Sequence, residues 1–430
     1  MSRKELLRDM RKKTLDSRGQ HITESEPLLN GESSNGSRRD GEVKGRNWIV
    51  SDLIGIKDMM VEQWYINIFL LVLPPAILSE YLEWSKPIIF VLNFIAIIPL
   101  ANLLGSATEE LALRTGETVG GLLNATFGNA VELILSIAAL QKGLINVVQG
   151  SLLGSILSNL LLVLGMSFFF GGIKNPPEQS FNLTGAGTFA SLLLVSCIGL
   201  CVPALFHNVL PGAQQKLLYP DDEIMLSRVV AIILGFVYIM YLVFQLKTHS
   251  DFFESEEDEE DDVVPILSPA GATVMLIVVT LIVAVCSEAL TGSIEVMSGF
   301  MSEAFIGVIL LPLVGNAAEH LTAVTVAMKN KMDLAIGVAV GSSTQIALFV
   351  IPVITLAGWV IDQPMDLNFR IFDTGLLVLT VLIVNLTLMD GKSNWLEGIM
   401  LISTYVIIAF ACWFNPERNT PPESTMHMEL

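Results

Sequence analysis

Charge is scarce in this sequence. Only 16% of its 430 residues are Asp, Glu, Lys or Arg, against ~25% in an ordinary soluble domain. That shortage excludes a soluble enzyme and a disordered scaffold. Positive charge is scarcer still, with 24 Lys+Arg against 43 Asp+Glu and a net charge of −19. A nucleic acid or other polyanion is therefore excluded as a partner. Cysteine is nearly absent. Cys197, Cys201, Cys286 and Cys412 all lie in apolar stretches, so no disulfide framework is expected. No short apolar stretch follows the basic start, so no signal peptide is expected either. What remains is apolar: 52% of the chain is hydrophobic and mean hydropathy is +0.62. This composition is that of a polytopic protein of the lipid bilayer.

Residues 1–46 hold 11 Lys/Arg and 8 Asp/Glu and read as a disordered cytosolic tail. Glu24, Leu28 and Leu29 in that tail have the spacing of an acidic dileucine signal for a sorting adaptor. Residues 47–83 read as an interfacial segment, with Trp48 and Trp64 at headgroup level, followed by a first span. A hydrocarbon core ~30 Å thick needs ~20 apolar residues of helix. Eleven stretches qualify: roughly 65–83, 87–107, 116–141, 145–170, 183–205, 224–246, 268–289, 302–328, 332–359, 370–389 and 395–414. The expected fold is therefore an all-α polytopic membrane protein of about eleven transmembrane helices. Residues 84–246 and 266–415 form two halves, joined by a cytosolic linker over 247–265 and closed by a tail over 416–430. The third, fourth, eighth and ninth spans are rich in Gly, Asn, Ser and Glu. They are expected to face protein or a water-filled cavity rather than lipid.

The basic residues orient the chain. A cytosolic N-terminus places eighteen Lys/Arg on the cytosolic side and six opposite, with the C-terminus lumenal. The sequons at Asn124, Asn182 and Asn385 then fall in spans or a cytosolic loop and are expected to stay unglycosylated. The linker carries nine carboxylates within residues 251–262, among them Glu256, Glu257, Asp258, Glu259, Glu260, Asp261 and Asp262. Two readings stand: a solvated tether between the halves, or a segment that raises local cation concentration at a pore mouth.

Gly128-Asn129-Ala130-Val131-Glu132 in the third span recurs as Gly315-Asn316-Ala317-Ala318-Glu319 in the eighth, 187 residues later. The same offset carries Gly150 onto Gly337, Gly154 onto Gly341 and Ser155 onto Ser342. The eighth span comes five after the third, so the two copies cross the membrane in opposite directions. Inverted repeats of this kind are typical of secondary transporters, with the substrate near the midplane at the repeat interface. The four later glycines have small-xxx-small spacing and read as packing positions.

Asn129 and Glu132 are three apart and share a helix face, as do Asn316 and Glu319. An acidic side chain at a helix centre costs about 2.5–3.5 kcal/mol on insertion scales. No Lys or Arg lies inside these spans to neutralise it, which leaves protons or a metal cation. Carboxylates beside amide oxygens make a hard site of the kind Ca2+ takes, with 6–8 oxygens. Gly128 and Gly315 can open the backbone and offer carbonyls. Ser155, Ser158, Ser342 and Gln345, one span later in matching positions, can offer further oxygens. No Cys lies near, which disfavours a soft metal. Burial disfavours a charged carboxylate and a bound cation favours it. One pair of glutamates can therefore serve H+ and Ca2+ in turn. Glu109 and Glu110 end the second span and Glu288 ends the seventh; each reads as an ion-path residue or as an interfacial charge. His320 adjoins Glu319, but adjacent helix positions point ~100° apart, so a proton-coupling role is one of two readings.

GNAVEL in the third span and GNAAEH in the eighth, with the GSLLGSILSNLLLVLG and GVAVGSSTQIALFV stretches that follow, resemble the signature repeats of the cation/proton exchanger family, in its vacuolar Ca2+/H+ branch. The resemblance covers roughly residues 50–415. It implies a first helix followed by two inverted five-helix repeats, with an acidic segment between them. It also implies that Glu132 and Glu319 are the ion- and proton-binding carboxylates. Asn129 and Asn316 become ligands or their supports, with Ser155, Ser158, Ser342 and Gln345 beside them. Related sodium/calcium exchangers carry Ser or Thr after the Gly and Pro before the acid. Here Asn stands after the Gly and the Pro is missing, which argues against sodium coupling. The length and dileucine-like tail suggest a eukaryotic, fungal-like member.

The expected activity is antiport and not enzymatic: cytosolic Ca2+ moves into a vacuole or other acidic organelle as H+ leaves. Mn2+ fits an oxygen site too, so a Mn2+/H+ antiporter of the same fold remains open. A cation channel also uses carboxylates, but normally as rings of identical subunits. An intramembrane zinc enzyme is disfavoured, because Glu319-His320 has the wrong order for an HExxH site.

Overall fold

Backbone amides in lipid find no partner except the chain itself, so apolar runs of this length must be helical. A computed structural model describes residues 48–115, 117–209, 220–249 and 265–414. The tail with Glu24, Leu28 and Leu29, the acidic run from Glu256 to Asp262 and residues 416–430 lie outside that set. Helix α1 (Trp48–Glu62) precedes the first span, α2 (Trp64–Tyr81). Then follow α3 (Lys86–Thr115), α4 (Glu117–Phe127), α5 (Ala130–Gln141), α6 (Ile145–Lys174), α7 (Leu183–Phe206) and α8 (Asp222–Thr248). The second half contains α9 (Pro269–Thr291), α10 (Glu303–Gly315), α11 (Ala317–Met328), α12 (Met332–Val360), α13 (Ile371–Leu388) and α14 (Trp395–Trp413).

Among the described residues, nine of these are individually long and apolar enough to cross a membrane. The third and eighth expected spans are not continuous helices. The third is parted into α4 and α5 at Gly128 and Asn129. The eighth is parted into α10 and α11, bent by 58° at Asn316. Counting the bent pair α10–α11 as one crossing gives ten, one fewer than the eleven expected, because α4 and the short apolar helix α5 stand where the third span was placed.

The halves are inverted relative to one another. Arg114, at the C-terminal end of α3, donates through Nη2 to the carbonyls of Pro265 and Leu267 at the start of α9 (3.1 and 2.6 Å). The leading helices of the two repeats therefore run antiparallel along each other. Local geometry repeats at the sequence offset of 187. Asn129 (φ −106°, ψ 23°) and Asn316 (φ −84°, ψ 13°) both break a span in nearly the same conformation. Gly143 and Asn330, the residues that turn the chain after α5 and α11, both have positive φ (72° and 64°). A turn of π-helix spans Ser158–Val163 in α6, and another spans Ile346–Val350 in α12. Packing repeats as well: α14 lies on α6 as α8 lies on α12.

Burial ranks the helices by role. In their apolar windows, 72% of α6 and 67% of α12 is buried, against 22% of α8 and 28% of α14. The small and polar residues of α6 and α12 thus line the molecular centre, while α8 and α14 lie at the periphery. Gly154 permits this close approach, because a Cβ there would lie 2.7 Å from Pro312 Cγ on α10 and would overlap the carbonyl of Val308. One small sheet fastens the halves on the side of Lys174: β1 (Gln179–Ser180) pairs antiparallel with β2 (Lys392–Ser393). On the same side Asp52 of α1 accepts from Ser268 N (2.8 Å) and Ser268 Oγ (2.6 Å). Trp64 is 65% exposed, as an interfacial residue should be.

Candidate functional site

The breaks at Asn129 and Asn316 bring two helix N-termini to the centre of the protein. Glu132 and Glu319 each sit in the first turn of the following half-helix. The positive end of the helix dipole favours a carboxylate there and offsets part of its burial cost. Glu132 is buried and Glu319 half-buried. Between them stands Gly315, where a Cβ would lie 2.8 Å from Glu132 Oε1. Glycine at this position is what lets the Glu132 carboxylate reach the second repeat.

Each repeat reaches across to the other. Asn129 Nδ2 donates to Gln345 Oε1 on α12 (2.7 Å). Asn316 Nδ2 donates to the Ser155 carbonyl on α6 (3.2 Å). Ser342 Oγ donates to Asn129 Oδ1 (3.4 Å). Ser158 Oγ lies 3.5 Å from His320 Nε2. The sequence motifs are therefore assembled into one site at the interface of the repeats.

Among the described residues, four oxygens at this site find no hydrogen-bond partner: both of Glu132, Oε2 of Glu319 and Oδ1 of Asn316. All are acceptors, and buried polar atoms are rarely left in that state. A donor or a cation must complete them. Among the described residues no three His, Cys, Asp or Glu side chains cluster as a metal site. The two carboxylates would therefore share a cation with amide, hydroxyl and carbonyl oxygens, a donor set for a hard ion.

A cavity of about 630 Å³ leads to the site, lined by Glu319, Asn129, Ser342 and Gln345 at its deep end. Its rim holds Glu109, Asn182, Gln245 and Asp333, at the helix ends that carry Arg114, Lys174, Lys247, Lys329 and Lys331. Among the described residues no Lys or Arg lines it. Glu132, Ser155 and Gly315 border a separate, smaller crevice of about 10 Å³. The cavity thus reaches one carboxylate directly, with the other behind it.

The remaining sequence candidates divide. Glu109 is exposed on the cavity wall. Glu110 does not line the cavity: it is buried, and its carboxylate accepts from Ile266 N (2.9 Å) and Leu267 N (2.9 Å) at the start of α9. This placement matches neither of the two readings, since the carboxylate is neither on the cavity nor exposed at an interface. Glu288 is exposed at the opposite end of α9, away from the cavity, and its carbonyl accepts from Lys142 Nζ (2.6 Å). His320 turns away from the cavity. Its Nδ1 lies 2.6 Å from the Asn316 carbonyl, which can only accept, so that nitrogen carries the proton. Two residues escaped the sequence reading. Asp333 on the rim matches Asn146 at the repeat offset, so the repeat did not flag it. Asn159 donates through Nδ2 to Ser342 Oγ (3.2 Å) and matches Ile346.

The model of the sodium/calcium exchanger protein family matches residues 85–247 and 271–414, which are the two inverted repeats. The chain belongs to the sodium/calcium exchanger family. Within that family it is 41% identical over 400 residues to a vacuolar calcium ion transporter of Schizosaccharomyces pombe, covering 92% of this chain and 94% of the relative. It is 45% identical over 370 residues to a Ca2+/H+ antiporter of Synechocystis sp., covering 81% and 98%. The solved structure of native YfkE superposes with a TM-score of 0.68 at 37% identity, covering 81% of this chain and 99% of that one. The H+/Ca2+ exchanger CAX shares the fold, with a TM-score of 0.63 at 12% identity.

Proposed function

We propose that this exchanger carries Ca2+ out of the cytosol into the vacuole or another acidic compartment in return for H+. The observation that carries the reading is the set of four acceptor oxygens without partners on Glu132, Glu319 and Asn316. Such a set is completed either by protons or by a hard cation, and the two compete for the same lone pairs. The relatives named as Ca2+/H+ antiporters and vacuolar calcium transporters support calcium as the cargo.

The cavity opens where the basic helix ends lie, which by the positive-inside rule is the cytosol. Ca2+ enters past Glu109 and Asp333 and meets Glu319 first. Glu132 joins it from behind Gly315 as protons leave both carboxylates. With its charge neutralised by the cation, the site can be carried across as the two repeats exchange which end is open. On the acidic side protons displace Ca2+, and the protonated carboxylates return. The cycle needs no second ion site, because one pair of glutamates holds either load.

The test is uptake into liposomes of purified protein with an acid interior. Uptake should collapse with a protonophore, and excess Mn2+ should reveal by competition whether it shares the site. Ca2+ currents that persist after the pH gradient is dissipated would instead indicate a channel.

A further inference from the structure

Asn159 sits behind the wall of the cavity, not on it. It is fully buried on α6, in the π-helical turn that begins at Ser158. Its Nδ2 donates to Ser342 Oγ (3.2 Å), and its Oδ1 has no partner. A buried amide with one unsatisfied oxygen costs stability, so its retention needs a reason. The hydrogen bonds beyond it supply one. Ser342 Oγ donates to Asn129 Oδ1 (3.4 Å), and Asn129 Nδ2 donates to Gln345 Oε1 (2.7 Å). Four side chains thus form a relay with one direction, running from Asn159 to Gln345.

We propose that Asn159 is a positioning residue that sets the polarity of this relay and, through it, the affinity of the site for a hard cation. A serine hydroxyl has one proton and two lone pairs. Asn159 can only donate through Nδ2, so it fills one lone pair of Ser342 and leaves the proton to Asn129. The remaining lone pair of Ser342 is available on the cavity side, where Ser342 is part of the lining. Without Asn159 the hydroxyl is free to swing its proton toward the cavity and present a positive end to an incoming cation. The relay belongs to one half only. At the matching position of the second repeat stands Ile346, and there the partner of Asn316 is the carbonyl of Ser155, whose direction is fixed by the backbone. A carbonyl needs no such supervision, whereas a hydroxyl does.

The inference rests on the calcium reading above, and the test separates the two. Ca2+ binding to the purified full-length protein is measured by calorimetry, together with the melting temperature of the ion-free protein. The set is wild type, Asn159→Leu, Ser342→Ala and the double variant. Losing one such orienting bond should weaken Ca2+ binding by about tenfold in Asn159→Leu. The ion-free melting temperature should hold or rise, because a buried unsatisfied amide has been removed. In the Ser342→Ala background, Asn159→Leu should change affinity no further. A lower melting temperature with unchanged Ca2+ affinity would show a purely structural residue and overturn the proposal. Additive losses in the double variant would overturn action through Ser342. Folded wild type without Ca2+ binding would overturn the calcium reading itself, and this inference with it.

Discussion

At the scale of single residues, the site is a balance between two carboxylates and one glycine. Gly315→Ala places a methyl 2.8 Å from Glu132 Oε1, closer than hard contact allows. The carboxylate must move, and the expected result is a rise of about tenfold in the KM for Ca2+, since one charged ligand is misplaced. Uptake kinetics on a well-folded variant check this. Glu109 and Glu110 are neighbours with opposite predictions. Glu109→Gln removes a cavity charge and should raise KM while leaving the melting temperature unchanged. Glu110→Ala strips the acceptor from two backbone amides, the one of Leu267 buried. It should cost about 1–3 kcal/mol of stability and leave the KM near wild type. Thermal denaturation beside transport assays distinguishes the two. The sequence made this site largely legible, because the chemistry is repeated: Asn129 and Asn316, Glu132 and Glu319, Ser155 and Ser342 all recur at one offset. It could not separate Glu109 from Glu110, since adjacent side chains on a helix leave about 100° apart and only the fold decides which faces the cavity. Asn159 and Asp333 stayed hidden for the converse reason, because neither has a counterpart in the other half.

At the scale of elements, the broken spans matter most. A continuous helix through Asn129 or Asn316 would pair the central backbone with itself and give no helix N-terminus beside the glutamates. The sequence placed these spans correctly and marked Gly128 and Gly315 as points where the backbone could open. It did not say that the two half-helices would diverge by 58° at Asn316, because that angle is fixed by packing on α6 and α12. The same central helices set a second expectation. A side chain larger than hydrogen at Gly154 meets the backbone of α10 at Val308. Gly154→Val should therefore separate α6 from α10 and destabilise the protein by about 1–3 kcal/mol, read as an earlier melting transition in detergent. The loop after α12 is also packed as an element. Met365, Leu367 and Phe369, all in the loop after α12, are buried, and Asp366 Oδ1 accepts from Gln149 Nε2 (2.7 Å). In the sequence that stretch reads only as a connection between the ninth and tenth spans. Its apolar side chains alternate with polar ones over too few residues to announce that they are buried.

At the scale of the whole molecule, inversion of the two repeats gives two ends that can open in turn, and the present arrangement is open at the end that carries the basic residues. A cysteine introduced at Thr322 or Ser106 on the cavity wall should react with a charged thiol reagent applied from that side and resist it from the other. The four native cysteines are buried and should contribute little background. The coupling also has a sign. Ca2+ binds carboxylates that have released their protons, so raising pH on the cytosolic side should strengthen apparent Ca2+ affinity and lowering it should weaken it. The most direct test of the account follows Ca2+ entry and H+ exit together in acid-loaded liposomes, for wild type, Glu132→Gln and Glu319→Gln. The account predicts linked fluxes in the wild type and the loss of both fluxes in either variant. Ca2+ entry that continues in Glu132→Gln while proton exit stops would contradict it, because the two ions would then not share one site.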